Sequence, residues 1–221
     1  MLAAGNRVKC RYMANKTAKK EVKRSKLERY LPYLLIFVGV VGIIAAFIIT
    51  QDKVKLIEDP SYVPSCSINP IISCGSIMKS EQSHAFGFPN TYLGLIGFPV
   101  VLTSGVVMLA GARLKRWYWL GLNAGFLFGV GFVHWLFFQS VWSIGALCPY
   151  CMGVWTVTIA GFWYVTLYNL QTGVIKLPAK LKSVGRFMRQ HHLDLLVLWY
   201  LIIIVLILHH FWYYFGKHLP F

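Results

Sequence analysis

Cys148-Pro149-Tyr150-Cys151-Met152-Gly153-Val154-Trp155 opens an apolar run that continues to about Asn169. A run of that length is enough for one helix to cross a membrane. Pro149 suits the first turn of such a helix, where the N–H it lacks would be unpaired anyway. Residues three apart share a helix face, so Cys148 and Cys151 are expected side by side. A helix N-terminus favours a thiolate over a thiol, and C-x-x-C is a redox spacing. The stretch predicts a redox dithiol at the mouth of a membrane helix. The plainer alternative is two buried cysteines acting as small apolar residues.

Working outward, the same apolar character recurs. Of 221 residues, 57% are hydrophobic and only 13% are charged, more apolar than ordinary soluble domains. Blocks at about 31–50, 91–110, 117–138, 148–169 and 193–215 are each long enough for a hydrocarbon core of about 30 Å. The expected fold is an all-α membrane protein: a four-helix transmembrane bundle over 31–170 plus a fifth transmembrane helix over 193–215. A basic tail (1–30), a proline-bearing polar loop (51–90), a basic linker (171–192) and a short end (216–221) complete the division. Nothing resembles a cleaved signal peptide, and the basic first thirty residues lead into a retained span.

Charge sets the expected orientation. Eighteen of the 22 Lys and Arg residues fall in the tail, the turn 111–116 and the linker 171–192. Lys53, Lys55, Lys79 and Lys217 lie on the other side. The positive-inside rule therefore puts the N-terminus in the cytoplasm and loop 51–90 outside. Because the basic residues are split among short segments, the net charge of +15 does not read as nucleic-acid binding.

The cysteines agree with that orientation. Cys10 stands alone in the tail, whereas Cys66 with Cys74 and Cys148 with Cys151 form two pairs on the outer side. Paired cysteines outside the cytoplasm suit an oxidising compartment. Thiol–disulfide exchange passes two electrons from pair to pair, so two pairs on one face suggest a relay. A lipid-soluble acceptor, quinone foremost, would complete it.

Cys66-x7-Cys74 in the first outer loop, Asn90-Thr91-Tyr92-Leu93-Gly94 opening the second span and Cys148-x-x-Cys151 opening the fourth together resemble the vitamin K epoxide reductase family in its bacterial form. The resemblance covers roughly residues 30–170. It implies that Cys148 and Cys151 are the active-site pair, with Cys151 reacting with quinone (menaquinone, ubiquinone or a relative). Cys66 and Cys74 would be the shuttle pair, Cys74 forming a mixed disulfide with Cys148 and Cys66 meeting a partner thiol. Asn90 would hydrogen-bond a quinone carbonyl. Bacterial members oxidise a thioredoxin-like partner that is often fused at the C-terminus. Here only six residues follow the fifth span, so a separate thioredoxin-like protein is expected. The implied setting is the bacterial plasma membrane. Trp155 departs from the family by standing where vertebrate members have a pocket tyrosine.

The residues also allow readings of their own. Trp155 is one helical turn past Cys151, so it is either a cavity wall or ordinary packing. Asn90 is a ligand donor or the N-cap of the second span. His134, deep in the third span, is either functional or a neutral histidine bonded to a neighbouring helix. Gly121, Gly125 and Gly129 give the third span a smooth face for helix contact. Trp117, Tyr118 and Trp119, with Trp212, Tyr213 and Tyr214, read as interfacial anchors. His191-His192 and His209-His210 diverge on a helix and make poor chelates, so no metal is expected. Competing functions are a eukaryotic-type vitamin K epoxide reductase, a dithiol carrier moving reductant outward, a soft-metal transporter and a protein with two static disulfides. The carrier would need cysteines within the spans or on both faces, and the transporter further Met or Cys ligands along a path.

Overall fold

The computed structural model describes residues 26–215. The tail 1–25 with Cys10, and the end 216–221, lie outside the described residues. Among the described residues, five helices are long and apolar enough to cross a membrane: α1 (Lys26–Glu58), α3 (Thr91–Leu109), α4 (Arg116–Phe138), α5 (Pro149–Gln171) and α7 (His192–His210). Short helices fill the connections: α2 (Cys74–Lys79), α6 (Lys182–Gln190) and α8 (Trp212–Phe215). Among the described residues the only β pairing is an isolated bridge between Ile72 and Leu147. The expected all-α membrane fold is what the chain adopts.

The ends of the spans depart from the expected limits. With 33 residues, α1 is about 50 Å long at 1.5 Å per residue, well beyond a hydrocarbon core. Its last turns belong to the stretch expected as loop 51–90. Leu31, Leu35, Val38, Gly42, Ala45, Ile49, Asp52 and Leu56 form one continuous buried stripe, so Asp52 faces inward. Helix α4 likewise does not end in a loop. It runs on as a π-helical turn, Gln139–Ile144, until Gly145 takes a positive φ of 69° and turns the chain towards Cys148. The linker 171–192 contains α6, and the fifth span breaks at Phe211 before α8.

Glycines place the helices, but not those expected. A Cβ on Gly39 would lie 2.6 Å from the Leu102 side chain, and one on Gly42 only 2.3 Å from the Phe98 ring. Gly105 sits equally tight under Pro32 and Ile36. These close approaches, typical of membrane helix pairs, clamp α1 to α3. By contrast, Gly121 and Gly125 face open space, and only Gly129 nears another helix, at Thr158. The stripe on α4 is a cavity wall.

Helices α4 and α5 pack along their length. Phe126 fills the space above Gly161, and Asn123 Nδ2 donates to Thr166 Oγ1 at 2.8 Å. Of the expected interfacial anchors, Trp117 and Trp212 are exposed. Trp119 is instead buried, with its ring 4.4 Å from that of Tyr168. Tyr118 shares a hydrogen bond with Ser104 at 2.6 Å. Helix α7 is fastened by its own polar groups: Trp199 Nε1 donates to His134 Nε2 at 3.0 Å, and Tyr200 OH to the Thr156 carbonyl at 2.8 Å. His134 Nδ1 is 2.8 Å from the Val130 carbonyl. It is thus a neutral histidine bonded to a neighbouring helix.

Candidate active site

Two loop segments are stitched together one residue before two of the cysteines. Asn69 Oδ1 accepts from the backbone N–H groups of Ile71 (3.0 Å) and Ile72 (2.6 Å). This Asx turn presents the strand-like residues to Leu147. Leu147 N–H donates to the Ile71 carbonyl at 2.7 Å, and Ser73 N–H to the Leu147 carbonyl at 2.9 Å. Ser73 then caps α2, its Oγ accepting from Ser76 N–H at 3.3 Å. Cys74 is therefore the first residue of α2, while Cys148 is the extended N-cap of α5. The register leaves Cys74 Sγ and Cys148 Sγ 3.1 Å apart.

Cys66 and Cys74 are joined by a disulfide, and Cys148 and Cys151 are free thiols. Cys66, Cys74 and Cys148 form one buried cluster with Ile49, Leu56 and Met78. The thiol of Cys148 is held below the ordinary cysteine range, first by a hydrogen bond from the Cys151 thiol, then by the backbone N–H groups of Cys151 and Tyr150. Burial and the Asp52 carboxylate work against this without reversing it. The result is a sulfur that ionises more readily than an ordinary cysteine, within attack distance of a disulfide sulfur.

The other side of the C-x-x-C faces a cavity of about 580 Å³ that Cys151, Trp155 and Asn90 line together. Its long wall is the face of α4 from Trp117 through Gly121, Gly125 and Gly129 to Phe132. Trp155 is buried, edge-on to Phe137 with ring centres 5.5 Å apart. It is both wall and core, packed with Val141, Leu147 and Phe211. Asn90 sits at the N-cap position of α3 but makes no side-chain cap bond. Its Nδ2 donates to the Gln82 carbonyl at 2.6 Å, and its Oδ1 accepts from Ala85 N–H at 3.1 Å. An amide nitrogen carries two hydrogens, so one remains for a ligand. The N-cap reading gives way to a brace between the loop and the cavity rim.

All six residues singled out from the sequence therefore meet in one region. Cys66, Cys74 and Cys148 lie on the loop side of the dithiol, and Cys151, Trp155 and Asn90 on the cavity side. The sequence reading missed three features. One is the Ile72–Leu147 bridge, for which no local motif exists. Another is Phe137, the aromatic partner of Trp155. The third is Asp52, which falls in the stretch expected as loop 51–90 although Ile49, Asp52 and Leu56 are spaced for one helix face. The space fits a flat two-electron acceptor with an apolar tail: an aromatic wall, an amide donor and one thiol, in a mainly apolar lining whose polar members, Lys53, Gln82, Ser83 and Gln139 among them, sit with Asn90.

Compared with protein-family models, residues 33–166 match the Vitamin K epoxide reductase family. The match contains the four paired cysteines, Asn90 and Trp155, and stops before α6 and α7. No curated protein matches the chain.

Proposed function

The chain belongs to the vitamin K epoxide reductase family and is a multi-pass membrane oxidoreductase; from that premise we propose that it carries electrons from a thiol protein to a membrane quinone and so supports disulfide formation. The observation that carries this reading is the division of labour within Cys148-x-x-Cys151. Cys148 Sγ is 3.1 Å from Cys74, and Cys151 borders the cavity.

In this reading a separate thioredoxin-like protein reduces Cys66–Cys74. Cys74 then attacks Cys148 of an oxidised Cys148–Cys151 pair, and Cys151 leaves. Cys66 next attacks Cys74 in the mixed disulfide and releases Cys148. The loop pair ends oxidised and the helix pair reduced, the arrangement seen here. A quinone held in the cavity would supply the two-electron oxidant: the Cys148 and Cys151 thiols would give up two electrons and two protons to it and re-form their disulfide. Asn90 orients the quinone carbonyl, Trp155 provides the flat wall, and the apolar cavity keeps water from the Cys151 sulfur. The setting we propose is a bacterial plasma membrane with the site on the outer face, because the basic residues segregate to the opposite side.

The test is steady-state quinone reduction by the protein purified in mild detergent, with either a dithiol protein or dithiothreitol as donor. Cys148→Ala is expected to abolish turnover with both. Cys66→Ala and Cys74→Ala are expected to abolish it with the protein donor and retain part of it with dithiothreitol. Equal loss with both donors in the loop variants would show that the loop pair is no shuttle. An unaffected rate would leave it a static bridge.

A further inference from the structure

One buried ionisable group in the cysteine cluster has no place in the relay described so far. Asp52 is 6% exposed on α1, between Ile49 and Leu56, which belong to the same buried cluster as Cys66, Cys74 and Cys148. Its Oδ1 accepts a hydrogen bond from Tyr62 OH at 3.0 Å. Its Oδ2 is buried and has no hydrogen-bond partner among the described residues. A buried, half-satisfied carboxylate is costly to keep, so its retention calls for a reason.

Its surroundings narrow the reason. Tyr62 packs on the same cluster, and its bond to Asp52 pushes the phenol above its ordinary range, so that it stays a donor. The Lys55 ammonium lies over the outer side of that ring, 5.6 Å from its centre. Lys53 is engaged elsewhere, by the Met78 carbonyl and Ser83 Oγ. Tyr150 and Cys151 border the cluster from α5. Cys148 is near enough for the Asp52 charge to oppose its ionisation. None of these described neighbours sets a cation on Asp52, whose free oxygen is buried on the helix face that carries Ile49 and Leu56 into the cysteine cluster.

We propose that Asp52 carries the proton of the exchange between the two cysteine pairs. The inference rests on the relay reading above. When Cys66 attacks Cys74 in the Cys74–Cys148 mixed disulfide, a Cys66–Cys74 bond forms and the Cys74–Cys148 bond breaks. The electron pair leaves on Cys148 as a thiolate. The Cys66 proton passes to Asp52 Oδ2 and from there to Cys148, so two thiols stand on each side of the step and nothing external is consumed. Tyr62 donates to Oδ1, so Oδ2 is the oxygen left to take the proton.

The test follows a single turnover of the full-length protein in mild detergent. Fully reduced protein, freed of reductant, receives one equivalent of a short-chain ubiquinone. Acid quenching, alkylation and mass spectrometry then follow the Cys74–Cys148 species as it forms and decays. Asp52→Asn is expected to slow the decay at least about tenfold at neutral pH, within the usual range for a proton-transfer group. The residual rate should climb with pH as hydroxide replaces the carboxylate. Asp52→Glu should restore the rate, and Tyr62→Phe, which keeps the carboxylate, should stay near wild type. Wild-type decay should also slow in deuterated water, a reading available even if Asp52→Asn fails to fold. Wild-type decay and pH profile in Asp52→Asn, equal slowing in Tyr62→Phe, or no isotope effect would each overturn the proposal. Absence of any Cys74–Cys148 disulfide in a Cys66→Ala protein would bring down the relay itself, and the role of Asp52 with it.

Discussion

At the scale of single residues, position in the cavity and position in the fold are entangled, and the variants must separate them. Asn90 uses one Nδ2 hydrogen and its Oδ1 to hold the 82–85 segment. Asn90→Asp keeps the acceptor for Ala85 and loses the donors. Losing one ligand hydrogen bond costs about 0.5–1.5 kcal/mol, so the apparent KM for quinone should rise by about tenfold at most. Exchange between Cys74 and Cys148 should survive, because no step there touches Asn90; trapped mixed disulfide in a Cys66→Ala, Cys151→Ala background reports it. Trp155→Phe should raise KM more mildly than Trp155→Ala, which also removes core packing worth about 3–5 kcal/mol and should lower Tm. Wild-type kinetics in folded Asn90 and Trp155 variants would place the quinone elsewhere. Cys148 gives a prediction about pH. Its thiol lies below the ordinary range chiefly through the Cys151 thiol, so its thiolate forms at lower pH than that of an ordinary cysteine. In a background without Cys10, Cys66 and Cys74, Cys151→Ala should shift the thiolate absorbance midpoint upward. The backbone N–H groups still favour the anion, so part of the depression should remain. A midpoint that falls or stays fixed would contradict the assigned cause.

At the scale of elements, the glycines on α1 and α4 look alike in sequence and do opposite things. Gly39 and Gly42 admit the Leu102 and Phe98 side chains of α3 at distances no Cβ would tolerate. Gly125 faces the cavity with nothing near it. Gly39→Ala should therefore overpack the α1–α3 contact, a change that costs about 1–3 kcal/mol, and lower Tm with little effect on KM in the folded fraction. Gly125→Leu should fill cavity volume and raise KM for quinone without lowering Tm, since a helical Gly already gives up about 1 kcal/mol of propensity. Thermal melts beside quinone kinetics check the contrast; equal destabilisation by both would remove Gly125 from the cavity wall. The same contrast shows what was legible in the sequence. The spans were legible because hydropathy reports lipid contact directly. So was the cysteine plan, because C-x-x-C and the outer-loop pair are short and local. Which glycine stripe meets a helix and which meets a cavity was not, because smallness is identical in both. The inward turn of Asp52 was hidden by treating the end of α1 as the membrane boundary. The Ile72–Leu147 bridge, which sets the Cys74–Cys148 distance, joins residues far apart in sequence and leaves no periodic trace.

At the scale of the whole molecule, the candidate site residues among the described residues lie at one end of the bundle: the last turns of α1, α2, the start of α3, the turn after α4 and the start of α5. The fifth helix, beyond the region matched by the family, belongs to this end too. Phe211 is fully buried against the cluster of Trp155, Phe137, Val141 and Leu147. It thus backs both the cavity wall and the residue before Cys148. For the relay proposed above to operate, this end must face the compartment that holds its thiol partner. Orientation is then a property the chemistry requires, and charge makes an independent statement about it. Eighteen of the 22 Lys and Arg residues fall in the tail, the turn 111–116 and the linker 171–192, and under the positive-inside rule that bias predicts a cysteine-bearing end outside the cytoplasm. Ser61 is exposed three residues beyond α1, close in sequence to Cys66. Ser61→Cys, in a protein lacking the native cysteines, should react with a membrane-impermeant thiol reagent in intact cells. Arg113→Cys, in the basic turn after α3, should react only after lysis. Should the pattern invert, the cysteine pairs would face a reducing cytoplasm, where a disulfide-forming relay has no oxidising compartment to serve.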